Sequence, residues 1–240
     1  MNNYLWPYLM IMLHFVSGAI WIFLINRNLD QISARNQWTK YFTYLLIFNL
    51  VWYSIIWYPS ALVVLGSIII LTCGWEWWIA ISKTQGRIWL LAGFMAAAIG
   101  FWSFLHMAAS DILFAFFLVM LFDGASQIAG QLLGKHSLLP KISPNKTIEG
   151  LIGGTLITLG SALLVKHSFS MEWNEVILKG LMVITFALAG DLMASFVKRR
   201  ANLVTFGRLL PGHGGFLDRF DSLIMAGSLT SLLGFLNVLW

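Results

Sequence analysis

Residues 209–223, "LLPGHGGFLDRFDSL", set glycines, a proline, a histidine, an arginine and two aspartates between apolar segments. Asp218 and Asp221 stand three positions apart, so a helix through residues 216–222 places both carboxylates on one face, with Arg219 between them in sequence. Upstream, "GDLMASFVKRR" (190–200) spaces Asp191, Ser195 and Lys198 at i, i+4 and i+7, which is one helical stripe. Arg199 follows directly. Further upstream, residues 122–150 open on Asp123 and carry Lys135, Lys141 and Lys146. Thr147 is placed to cap a helix starting at Ile148, with Glu149 in its first turn.

These types point to polyanion chemistry. Lysines and helix-end N–H groups bind phosphates. Glycines such as Gly212, Gly214 and Gly215 let the backbone approach a ligand closely. Asp191, Asp218 and Asp221 lack an equal number of cations on their own helices, which suits a divalent ion; Mg²⁺ prefers a few carboxylates completed by substrate phosphates. His213 suits a metal, a phosphate or a loop carbonyl. Two plainer readings stand beside these: a solvated basic loop for the lysines, and an ion pair between Asp191 and Lys198.

The elements that position these residues are membrane helices. The chain of 240 residues is 59% hydrophobic and 10% charged, with a mean hydropathy of +0.79. Soluble domains carry about 25% charged residues. The apolar runs 4–25, 41–58, 61–82 and 88–107 each approach the ~20 residues that span a bilayer. Lipid cannot satisfy backbone polar groups, so the spans are helical, and the ten-residue alternation of a barrel is missing. The expected fold is an all-α polytopic membrane protein with about eight transmembrane helices, near 4–25, 41–58, 61–82, 88–107, 109–132, 149–166, 175–197 and 222–240. Pro59 breaks the chain between the second and third.

With this division, every Lys and Arg of the 15 except Lys166 and Lys179 falls in alternate loops. The positive-inside rule then makes those loops cytoplasmic and both termini non-cytoplasmic. The net charge of +5 therefore reports topology, and no nucleic-acid partner is expected. Trp38, Trp57, Trp173 and Trp240 suit the interfacial belts. The N-terminus has neither the basic start nor the small-residue cleavage site of a signal peptide, so the first span is expected to be retained. Polar residues gather at one membrane face and no internal repeat is evident, which argues against a transporter. Residues 1–107 read as scaffold and 108–240 as the catalytic part.

The remaining polar residues have plainer roles. Glu76 is expected to pair with a basic loop. His14 and His106 read as hydrogen-bonded packing residues. Cys73, the single cysteine, reads as a buried packing residue.

The strings "SFVKRR" and "GRLLPGHGGFLDRFDSL" together resemble the signature of the CDP-diacylglycerol synthase (phosphatidate cytidylyltransferase) family, and "GKHSLLPKISPNKTIEGLIGG" resembles a second stretch of it. The resemblance covers residues 123–223. It implies transfer of a cytidylyl group from CTP to phosphatidic acid, giving CDP-diacylglycerol and pyrophosphate. It also implies Mg²⁺ with a second cation such as K⁺, a homodimer, and a place in a bacterial inner membrane with the site facing the cytoplasm. By similarity Asp191 and Asp218 are metal ligands, with Asp221 beside them. Lys198 and Arg219 join these acids as candidates for catalysis. Asp123, Lys146, Ser195, Arg199, Gly212, His213, Gly214 and Gly215 are candidates for substrate binding. Three positions depart from the pattern: Val204-Thr205 replaces a Lys-Asp pair, Ala194 replaces a glutamate, and "DGASQ" replaces a D-T-x-A-Y-like segment. Transfer to a different lipid, or an inactive regulatory homologue, are the alternatives.

Overall fold

The computed structural model describes residues 4–27, 30–82, 84–207, 209 and 214–238. They form α1 (Leu5–Asn26), α2 (Gln31–Trp57), α3 (Pro59–Ile81), α4 (Arg87–Phe104), α5 (Ala109–Leu133), α6 (Ile148–Leu164), α7 (Trp173–Arg200) and α8 (Leu217–Phe235). The class is all-α, with one addition that the sequence did not announce. The 133–148 connection folds as an antiparallel ribbon of β1 (Ser137–Leu139) and β2 (Ser143–Thr147), with Ser137 opposite Thr147.

Helix boundaries follow local capping. Asp30 accepts from the Ile32 and Ser33 N–H groups, so α2 begins at Gln31. That start lies well before the apolar run at residue 41 and brings Arg35 and Lys40 into the helix. Thr147 caps α6 through the Gly150 N–H at 3.0 Å, as its position led one to expect. Glu172 and Glu175 form a reciprocal capping box at the start of α7. After Arg200, Asn202 takes a left-handed conformation (φ 54°) and the Leu203 N–H returns to the Lys198 carbonyl at 2.8 Å. That closes α7 in the manner of a C-terminal cap. α8 starts at Leu217, five residues before the expected 222, so Asp218 and Asp221 are helical.

α5 is the central pillar. Its apolar window is 67% buried, whereas that of α1 is 6% buried. It packs against α1, α2, α6, α7 and α8. Phe114, Phe116 and Phe117 are fully enclosed, and Phe116 stacks on Phe48 of α2. A helix as apolar as α1 with nearly all its surface outward requires lipid as its solvent. Five described helices, α1, α3, α4, α5 and α7, are long and apolar enough to cross a membrane. The chain is thus an integral membrane protein. α6 is shorter, with 17 residues, and α8 carries Asp218, Arg219 and Asp221 in its opening turns.

Helix contacts rely on small residues and on hydroxyls, as expected where lipid supplies no hydrophobic drive between helices. A Cβ on Gly154 of α6 would lie 2.6 Å from the Ser126 Cβ of α5. Between α4 and α8, Ser231 Oγ donates to the Gly100 carbonyl at 2.7 Å and Ser228 Oγ donates to the Ala97 carbonyl. Cys73 is fully buried, matching its expected packing role; His106 is exposed, with its ring Nδ1 2.8 Å from the Trp102 carbonyl, so it is hydrogen-bonded but not a packing residue. Gly154→Val should separate α5 from α6 and lower stability by about 1–3 kcal/mol. The measurement is the thermal unfolding midpoint in detergent, compared with Leu164→Val on the exposed far end of α6, which should leave it unchanged.

Candidate active site

The polar residues converge where α5 and α7 approach their C-termini and α6 and α8 begin. Lys146, at the end of β2, forms an ion pair with Asp191 of α7. Ser195 Oγ donates to the other Asp191 oxygen at 3.3 Å. One turn on, Lys198 Nζ donates to Asp218 Oδ1 at 2.7 Å. The ion pair weighed between Asp191 and Lys198 is therefore not the arrangement found: each takes a partner from another element. Lys135 and Lys141 are exposed, so the solvated-loop reading holds for them and fails for Lys146.

Asp218 is 6% exposed at its side chain and fully engaged. Its second oxygen, Oδ2, accepts the Phe206 N–H at 2.9 Å and the Gly215 N–H at 3.0 Å. Lys198 also lies over the Phe206 ring, 5.4 Å from its centroid. Asp218 thus ties the end of α7 and both described flanks of the glycine-rich connection to α8. Gly214 has φ 94°, a conformation other residues rarely adopt.

Asp123 of α5 and Asp221 of α8 complete the cluster: the charges of Asp123, Asp191 and Asp221 act on one another. Their approach depends on Gly190, where any Cβ would meet the Asp221 carbonyl of α8. Arg219 joins the cluster to α2, where Nη1 donates to the Tyr44 hydroxyl at 3.3 Å and the guanidinium covers the Tyr44 ring. Arg199 Nε donates to the Ile142 carbonyl at 3.1 Å, which fastens the β-ribbon to α7. Gly212 and His213 lie outside the described residues, as do Lys83, Arg208 and Trp240.

The structure also shows what the sequence did not. Tyr44 had no signal apart from being a tyrosine in an apolar run. Glu76 pairs with the basic loop 198–221 through its main chain: its carboxylate accepts the Phe216 N–H at 3.1 Å and the Leu217 N–H at 2.8 Å. Backbone donors leave no trace in a residue pattern. Of the departures noted, Val204 is 80% exposed, Thr205 Oγ1 donates to the Gly207 carbonyl at 3.2 Å, and Ala194 is buried.

Chemically, the cluster combines four aspartates with Lys146, Lys198 and Arg219 at one end of a helix bundle. An apolar cleft of about 100 Å³ adjoins it, with Asp221, Trp77, Phe94, Met193, Leu217 and Met225 in its wall. Such a site can hold phosphates and hard cations beside an apolar tail.

Comparison with known proteins agrees with this chemistry. Three phosphatidate cytidylyltransferases, from Staphylococcus aureus (strain COL), Staphylococcus epidermidis (strain ATCC 12228 / FDA PCI 1200) and Staphylococcus haemolyticus (strain JCSC1435), are each 44% identical over 124 residues. The alignment takes in 51% of this chain, and the chain spans about half the length of the curated relatives it matches, 48%. The sequence profile of the cytidylyltransferase family matches residues 2–236, nearly the whole chain. The chain belongs to the cytidylyltransferase family.

Proposed function

We propose that the protein transfers a cytidylyl group from CTP to phosphatidic acid, releasing pyrophosphate and giving CDP-diacylglycerol. One observation carries this reading. The ion pair between Lys146 and Asp191 joins the two segments whose residues suit phosphate and cation binding, although they lie far apart in the chain. Family membership supports the reaction class, and the relatives, as phosphatidate cytidylyltransferases, support the lipid. The apolar cleft beside Asp221 suits a substrate with an acyl tail.

The chemistry needs little from a base. A phosphomonoester has a second pKa of roughly 6, so its oxygen is already a nucleophile at neutral pH. It attacks the α-phosphorus of CTP, forming one P–O bond as the bond to pyrophosphate breaks. The obstacle is the mutual repulsion of two polyanions and the charge on the leaving group. Positioning and charge neutralisation overcome it.

The donor set fits Mg²⁺. Asp191 and Asp221 offer hard oxygen ligands from adjacent helices, and the mutual repulsion of Asp123, Asp191 and Asp221 favours an added cation. Among the described residues no three acidic, His or Cys side chains stand close enough to cage an ion. The remaining positions therefore fall to substrate phosphates and water, the usual arrangement for this metal. Bound there, Mg²⁺ would act as a Lewis acid on phosphoryl oxygens. Lys146 and Lys198 would turn from carboxylate to phosphate, leaving Asp191 and Asp218 to the cation. Arg199 and Arg219, next to Lys198 and Asp218 in sequence, would neutralise phosphate charge, and Asp123 would join the acids of the cluster. Ser195 orients Asp191. Gly212, His213, Gly214 and Gly215 would line the approach of the CTP phosphates.

The finer readings belong to the same proposal. The distribution of Lys and Arg supports eight spans with the site on the cytoplasmic side and both termini opposite. Residues 1–107 would then be scaffold and 108–240 the catalytic part. The homodimer, the second cation such as K⁺ and the bacterial inner membrane rest on the resemblance alone.

Purified protein in detergent with phosphatidic acid, CTP and Mg²⁺ should release pyrophosphate, and EDTA should stop it. Asp218→Asn should lower turnover per folded molecule roughly 10²-fold or more. Unchanged product formation would remove Asp218 from the mechanism. A second test concerns the missing Lys-Asp pair. Val204 is exposed, so a lysine fits there without a packing cost. Val204→Lys with Thr205→Asp should raise activity on phosphatidic acid, and a fall or no change would point to a different lipid.

A further inference from the structure

Glu76 is a buried acid, 2% exposed, on the inner face of α3, a helix to which the proposed reaction assigns nothing. Both of its oxygens are committed to main-chain donors of one neighbouring element, the Phe216 and Leu217 N–H groups at the mouth of α8. α8 supplies no cap of its own: Phe216 at its N-cap makes no side-chain hydrogen bond. The first N–H groups of a helix lack partners within it, so α3 provides what α8 omits. The carboxylate is also enclosed sterically. A Cβ on either Gly207 or Gly215 would collide with it, so both described flanks of the glycine-rich connection lie directly against Glu76. Next to it, Trp77 stacks on Phe206 and on Phe94, and its Nε1 donates to the Leu90 carbonyl of α4 at 3.1 Å.

Asp218 holds the same two flanks through the Phe206 and Gly215 N–H groups. Residues 206–207 and 215–217 are therefore held by two carboxylates. One of these carboxylates belongs to the proposed site. The other comes from α3.

We propose that Glu76 is a positioning residue for the transfer reaction. By fixing the first turn of α8 through two backbone hydrogen bonds, it sets the aim of Asp218 and Asp221. The inference rests on the cytidylyltransferase reading of the cluster. Its geometric part, that Glu76 fixes this turn, stands apart from that reading.

Glu76→Gln is the informative variant. It keeps the shape but turns one acceptor into a donor, which then faces a backbone N–H. Displacements of about 1 Å at a reacting centre cost on the order of 10²-fold. The expected result is a kcat for pyrophosphate release lowered 10- to 100-fold, with KM for CTP within threefold of the unaltered protein. Hydrogen exchange should quicken at residues 214–218 and stay constant in the β-ribbon at 137–147. Glu76→Asp, which keeps both acceptors, should recover part of kcat. A kcat within threefold in Glu76→Gln overturns the proposal. So does exchange that quickens throughout the chain with activity following the folded fraction, because that marks a residue needed only for folding. If the unaltered protein releases no pyrophosphate, the cytidylyltransferase reading fails. Unchanged exchange at 214–218 in Glu76→Gln overturns the positioning claim whatever the reaction.

Discussion

Charge inside an apolar bundle must be answered by charge or by hydrogen bonds, and the site is built on that constraint. Removing one member of a buried ion pair typically costs 3–5 kcal/mol, because the other is left without compensation. Here Lys198 and Asp218 are 14% and 6% exposed at their side chains. The Asp218 oxygen that does not meet the lysine accepts two backbone N–H groups. The answer to each charge comes from a different element, so satisfying the charges also assembles the tertiary structure. Lys146 brings the β-ribbon to α7, Lys198 brings α7 to α8, and Arg219 brings α8 to α2.

The same constraint explains where the glycines and hydroxyls stand. α7 and α8 approach closely at Gly190, and α5 and α6 at Gly154. Without that closeness Asp191 and Asp221 would not act on one another, and the acids would be separate, solvated groups. Ser228 and Ser231 hold α8 to α4 along its far length, so the end of α8 bearing the aspartates projects from a fixed shaft. Rigid support of this kind suits a site whose proposed work is positioning.

Much of this was legible in the residues. Apolar run lengths located the helices, and Thr147 announced the start of α6. Asp191, Ser195 and Lys198 share a stripe because helical period requires it. Asp30 shows a signal that was available: an aspartate before a polar run that is still helical, which extends α2 to Gln31. The ribbon at 137–147 was hidden because Pro140 and Pro144 lie within it and proline argues against strand. The partners of Lys146 and Lys198 were beyond reach, since spacing along one helix says nothing of which neighbour faces it. The form of the Glu76 pairing was hidden for a deeper reason. An acid near basic loops suggests a side-chain partner, but main-chain N–H groups are present at every residue except proline and carry no identity.

That anonymity shapes how the sequence can drift. Glu76 recognises peptide groups, so its hydrogen bonds do not depend on which apolar side chain, other than proline, stands at Phe216 or Leu217. Gly207 and Gly215 have no such latitude, because the space where any side chain would begin is already filled by the carboxylate. Constraint across this short connection should therefore differ in kind: Phe216 and Leu217 answer to apolar packing, whereas Gly207 and Gly215 answer to the carboxylate itself.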